Sequence, residues 1–367
     1  MFDKFKLANS MLVGMAQSVS VKPERCSRMC HKNAKCNLCE TNCPVGVIQV
    51  GTVGTSISIK WDECSYCGIC INICPTGVYG VRELGYEGFL KSYLKGIDDS
   101  GVLTLSCRES VKNEDTKSSA ENADLVECLG IFGLADFLWF YVNGAKEIVF
   151  IFPDCDNCVN MYGKSILTDE LAELIKLSAY FEHLEDTEIK EDDKHIRIIF
   201  PKSFERTKPL QKMDEIKAES VTRRGMFELL GRNAKDTALR SAVLLTPQEI
   251  PKRTPFRTEK ILPVKRRIFL DALTNCGKIL KEETSAGPYF FAIEIASGCN
   301  LCRVCVRFCP TEAIKMSEDE KEILFTPAYC LSCGMCLISC YHKYISRKKT
   351  VNIRELFKEE IKASKPS

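Results

Sequence analysis

The placement of the cysteines constrains this chain more than any other feature. The run Cys64-x2-Cys67-x2-Cys70-x3-Cys74-Pro75 returns as Cys299-x2-Cys302-x2-Cys305-x3-Cys309-Pro310, and again as Cys330-x2-Cys333-x2-Cys336-x3-Cys340. A looser version, Cys26-x3-Cys30-x5-Cys36-x2-Cys39-x3-Cys43-Pro44, precedes the first. Of 22 cysteines, nine lie between 26 and 74 and eight between 299 and 340, so the two blocks form an internal repeat. Disulfide scaffolds belong to short secreted domains. The chain has 367 residues, and Leu7–Val19 lacks the charge and cleavage pattern of a secretory leader. Reduced thiols in a cytoplasmic setting are therefore expected. Zinc sites usually separate two Cys pairs by a longer gap and often add His. Only 4 His are present, and just His31 and His342 lie near a cysteine group.

These runs resemble the bacterial 2[4Fe-4S] ferredoxin family, over residues 26–85 and 295–345. The resemblance implies two β-hairpins and two short helices per module, with two clusters held close together. Three thiolates on one tight loop wrap one cube, and the fourth, past a short turn, serves the other. Proline then ends the loop. In the C-terminal block the implied ligand sets are Cys299, Cys302, Cys305 and Cys340, and Cys330, Cys333, Cys336 and Cys309. Tyr341 stands where proline is usual. In the N-terminal block Cys64, Cys67, Cys70 and Cys43 form one set. The other takes Cys36, Cys39 and Cys74 with either Cys26 or Cys30. Ferredoxin modules with a Cys ten positions before the Cys-x2-Cys favour Cys26. Four [4Fe-4S] clusters follow.

Between the blocks, residues 100–200 alternate strand-like and helix-like runs. GVLTLSC (101–107), ADLVECL (123–129), KEIVFIF (146–152) and HIRIIF (195–200) read as strands. Gly133–Asn143, with Gly144 as its cap, and Ile166–Phe181 read as helices. Arg108–Asn122 is polar and reads as loop. The alternation predicts a parallel, Rossmann-like α/β sheet. Cys107, Cys128, Cys155 and Cys158 then sit at or past the carboxyl ends of strands, the edge at which ligands bind. The four suit a metal, reduced core thiols, or a Cys155–Cys158 dithiol. LSC, VECLG and ADFLWFYVNGAKEIVFIFPDCDNC resemble the delta subunit of methyl-viologen-reducing hydrogenase, over about 100 residues. That resemblance implies a [2Fe-2S] cluster on these cysteines. Two departures are visible: Cys107 stands alone, and PDCDNC replaces a Gly-Cys-His-rich stretch. Cys30 and Cys276 remain as structural thiols.

The expected fold is a multidomain α+β chain in which two ferredoxin modules flank an α/β domain. The boundaries are an N-terminal tail or helix (1–20), a module (21–95), the hydrogenase-delta-like domain (96–205), a basic helical linker (206–285), a module (286–350) and a C-terminal tail (351–367). Net charge is +2, which gives no support for nucleic acid as a partner. No run of 18 apolar residues is present, so no membrane span is expected. No Gly-x-Gly-x-x-Gly follows a strand, and Gly163-Lys164-Ser165 lacks the first glycine of a phosphate loop. No catalytic constellation stands out. The reading is an electron-transfer subunit of an anaerobic redox complex. Its expected partners are redox subunits of hydrogenase, heterodisulfide-reductase-like, formate or tungsten/molybdenum oxidoreductase type, or a soluble ferredoxin. The alternatives are a reductase with its active site at the central cysteines and a zinc-dependent interaction module.

Overall fold

The computed structural model describes residues 19–82, 85–201 and 260–364. The expected N-terminal tail or helix and most of the basic linker lie outside the described residues. In the first module Val19–Val21 (β1) pairs antiparallel with Tyr79–Val81 (β4), and Ile48–Val50 (β2) with Ile57–Ile59 (β3). Period-two patterning sets the faces: Ile48 and Val50 are buried while Gln49 between them is exposed. Short helices Ser27–Cys30 (α1), Leu38–Thr41 (α2) and Ile69–Ile73 (α3) carry the cysteine loops. Helix Gly85–Tyr93 (α4) leads into the middle domain.

There Val102–Cys107 (β5), Asp124–Val126 (β6), Glu147–Ile151 (β7), Glu188–Glu191 (β8) and His195–Ile199 (β9) form one sheet in the order β6-β5-β7-β9-β8. The first three run parallel, as the alternation predicts. The expectation of an all-parallel sheet is corrected by β9, which runs antiparallel to both β7 and β8. The cause is local. Asp192 Oδ1 accepts the Lys194 and His195 N–H groups at 2.9 and 2.8 Å, and this turn closes β8 and β9 into a hairpin. The sheet is mixed, and its likeness to a Rossmann arrangement is confined to the parallel half.

The stretch read as loop after β5 is instead two short helices, Arg108–Lys112 (α5) and Glu114–Ala120 (α6). They are capped and held by polar groups that carry no apolar period. Asn113 accepts the Asp115 N–H, and Ser110 Oγ donates to Ile151 O at 2.8 Å. Helix Leu134–Val142 (α7) is buried along its whole length, and Tyr162–Ser178 (α8) packs on it and buries Leu167, Leu171 and Leu174. Gly144 takes φ +113° after α7, where a side chain would be strained.

The described end of the basic linker is core. Val264–Thr274 (α9) buries Ile268, Phe269, Leu270, Ala272 and Leu273 and packs on α7. In the last module Ile293–Ile295 (β11) pairs with Ile345–Arg347 (β14), and Ile314–Met316 (β12) with Glu322–Phe325 (β13), repeating the first module. Helices Val304–Phe308 (α10) and Met335–Ser339 (α11) match α3. The expected C-terminal tail is strand instead. Thr350–Asn352 (β15) pairs with Glu283–Ser285 (β10), and Glu360–Ser364 (β16) adds to β13. One hydrophobic core joins all three parts, from Met29 through Phe137 and Phe150 to Phe269 and Phe325.

Candidate iron–sulfur centres

Three loops share one backbone device. The residues on either side of the middle cysteine lie in the left-handed region: Tyr66 (φ 53°) and Gly68 (76°) around Cys67, Leu301 (54°) and Arg303 (64°) around Cys302, Ser332 (53°) and Gly334 (67°) around Cys333. Four of the six are not glycine, and each costs of order 1–2 kcal/mol. Two left-handed residues curl the loop so that its three thiols face one side. The second of each pair then starts the short helix that carries the third cysteine. The fourth cysteine caps that helix in extended backbone at Cys74, Cys309 and Cys340. At Cys74 and Cys309 the proline that follows imposes this conformation.

The thiols gather in crossed sets. Cys43, Cys64, Cys67 and Cys70 line one cavity, and Cys309, Cys330, Cys333 and Cys336 another. Cys26, Cys36, Cys39 and Cys74 act on one another electrostatically, as do Cys299, Cys302, Cys305 and Cys340. The two sets of each module are neighbours: Cys70 feels Cys39, and Cys336 feels Cys305. Cys30 Sγ donates to Glu24 O at 3.3 Å. Cys276 is buried and donates to Ala272 O, also at 3.3 Å.

Burial is the main force on these groups. It pushes the Cys26 and Cys67 thiols up to about 11, and Cys39, Cys305 and Cys330 to about 12, with neighbouring thiols adding to the rise. Four thiolates so placed require a cation among them. Among the described residues no three His, Cys, Asp or Glu side chains converge on a point as a single ion requires.

The middle domain brings its four cysteines together as well. Cys107, Cys128, Cys155 and Cys158 line one small cavity at the carboxyl edge of β5, β6 and β7. A Cβ on Gly163 would meet Cys128 Sγ at 2.4 Å, so only glycine admits the thiol against the first turn of α8. The helix start favours negative charge there, and Lys164 lowers the Cys155 thiol that burial raises. Cys128 also packs with Cys67, Ile69 and Ile166 in one apolar patch, which puts this quartet beside the Cys43–Cys64–Cys67–Cys70 set. Sequence reasoning missed Gly163, although its glycine stood in a motif set aside as a failed phosphate loop.

Hydrogen bonds fix the junctions. Asn72 Nδ2 donates to Gly130 O and Phe132 O at 3.1 and 2.9 Å, and Gly68 packs on Ile131. The two end modules also meet, where His31 and Phe308 make an edge contact at 4.8 Å; ahead of α9, the Ile261 N–H donates to Pro310 O at 3.1 Å.

Fold and thiol placement together define ferredoxin-type iron–sulfur modules. Comparison with protein families agrees: residues 298–344 match a 4Fe-4S dicluster domain, and residues 57–79 match a 4Fe-4S binding domain. No curated protein matches the chain. The chain thus carries 4Fe-4S ferredoxin-type domains in its N-terminal region and at its C-terminal end, which support an iron–sulfur electron-transfer role. Among the described residues no helix is long and apolar enough to cross a membrane.

Proposed function

We propose that the chain is an electron-relay subunit with four [4Fe-4S] clusters. Their ligands are Cys26, Cys36, Cys39 and Cys74; Cys43, Cys64, Cys67 and Cys70; Cys309, Cys330, Cys333 and Cys336; and Cys299, Cys302, Cys305 and Cys340. The observation that carries this is the crossed gathering of thiols, with the fourth cysteine of each run delivered to the other run's set. Bound there, the clusters supply one-electron redox chemistry. The chain's own part is to gather the thiolates on strained loops and to fix the modules against one another.

A [2Fe-2S] cluster is our assignment for the central quartet, whose four thiols line one cavity. Its placement beside Cys67 makes it a neighbour of the N-terminal module. The partners that fit such a relay are redox subunits of an anaerobic complex or a soluble ferredoxin. The test is native purification without oxygen and identification of the co-purifying subunits. A redox enzyme subunit in stoichiometric amount supports the reading. A chain that runs alone and holds no iron contradicts it.

A further inference from the structure

Arg266 is the third residue of α9, with 7 % of its surface exposed. Its Nε donates to Ala328 O at 2.8 Å and its Nη1 to Tyr289 O at 2.7 Å. Both acceptors are uncharged backbone carbonyls. Nη2 is buried and has no acceptor among the described residues. The guanidinium also lies over the Phe269 ring, 5.1 Å from its centroid. Its neighbour Lys265 differs, because Lys265 Nζ has the buried carboxylate of Asp136 at 3.1 Å. The ionisable groups acting on Arg266 are Cys330 and Tyr289, and no carboxylate is among them.

A buried charge without an opposite charge is costly. Arginine does not shed its proton to escape that cost. Its counter-charge must therefore arrive with something the side chain faces. Its Nε bonds the Ala328 carbonyl, two residues before Cys330, and Cys330, one of four thiols around a single cavity, acts on it electrostatically. Binding of metal deprotonates such thiols, and the loaded site then carries net negative charge next to the guanidinium.

Resting on the iron–sulfur reading above, we infer that Arg266 is the counter-charge of the cluster at Cys309, Cys330, Cys333 and Cys336, and that it holds that cluster's reduction potential above the value it would have without the cation. A cation close to the site stabilises the state with one more electron, since that state is the more negative. Arg266 acts here as a positioning and tuning residue.

The full chain, reconstituted without oxygen, tests this as native protein, Arg266→Met and Arg266→Lys. Iron per chain is counted first, then each cluster's midpoint is followed by a potentiometric titration with EPR detection. In Arg266→Met one cubane moves to lower potential and the others stay; Arg266→Lys stays nearer the native value. The same samples are melted with and without their clusters. Loading raises the melting temperature more in the native chain than in Arg266→Met, because only the native apo form contains the uncompensated charge. Unmoved midpoints, or an equal gain on loading in both proteins, overturn the inference. If Cys330→Ser removes no iron from the native chain, the iron–sulfur reading of this site itself fails, and that outcome is separate from the previous one.

Discussion

Ser65 Oγ donates to Asn160 Oδ1 at 2.6 Å, and the Asn160 N–H donates to Cys158 Sγ at 3.3 Å. Ser65 lies between Cys64 and Cys67, so these two bonds tie a ferredoxin loop to the central thiols across 95 residues of sequence. With Cys67 and Cys128 in one apolar patch, the middle domain is docked on the N-terminal module through its own cysteine site.

Gly163 makes that site possible. Gly163→Ala places a methyl group where Cys128 Sγ stands, 2.4 Å away. The expected result is loss of the central group alone, about 2 irons per chain on a [2Fe-2S] assignment, with the cubane spectra retained. Iron analysis and visible spectroscopy of the variant check it.

The choice between the first two cysteines is also testable. Cys26 acts with Cys36 and Cys74, whereas Cys30 bonds the Glu24 carbonyl. Cys26→Ser is expected to lose or alter one cubane, and Cys30→Ser to leave all of them intact. EPR of the reduced variants decides, and the reverse pattern would make Cys30 the ligand.

Much of this was legible in the sequence, and for a physical reason. Thiolates that enclose a cube must come from short loops of fixed length, so the Cys-x2-Cys-x2-Cys-x3-Cys spacing marks the ferredoxin-type modules, while it left Cys26 and Cys30 open. The long apolar runs of α7 and β7 were legible in the same way. The left-handed backbone at Leu301, Arg303 and Ser332 was not, because non-glycine residues there give no compositional sign. Nor was the burial of α9, which lies in the stretch read as a basic helical linker and whose Val264-Lys265-Arg266-Arg267 start looks solvated while Arg266 is buried. The hairpin β8–β9 escaped because Glu188–Glu191 is mostly charged and exposed, as an edge strand often is.

Lys265 joins three elements. Its Nζ meets Asp136 Oδ2 at 3.1 Å and Asn72 Oδ1 at 2.6 Å, and Asp136 also accepts the Tyr86 hydroxyl at 2.8 Å. Lys265→Met leaves the fully buried Asp136 carboxylate without its cation. A loss of about 3–5 kcal/mol is expected, measured by denaturant unfolding of the full chain.

Asp124 provides a pH signature. Burial raises its carboxyl to about 6, and Oδ2 is buried with no hydrogen-bond partner among the described residues. A folded-state value above the unfolded one of about 3.9 means the folded chain holds the proton more tightly. Stability from this group is therefore full below the unfolded value and falls as pH rises through about 6. Asp124→Asn is expected to be more stable than the native chain at neutral pH, with the gap narrowing on acidification. Melting curves across that range check the sign.

The most direct test of the relay is iron and acid-labile sulfide per chain after anaerobic reconstitution of the full-length protein. Four cubes require about 16 irons and the central group about 2 more. Saturation near 18, with about 4 lost in Cys333→Ser and about 2 in Cys128→Ser, is the expected result. Saturation at about 8, or variants that lose nothing, would contradict the four-cluster account.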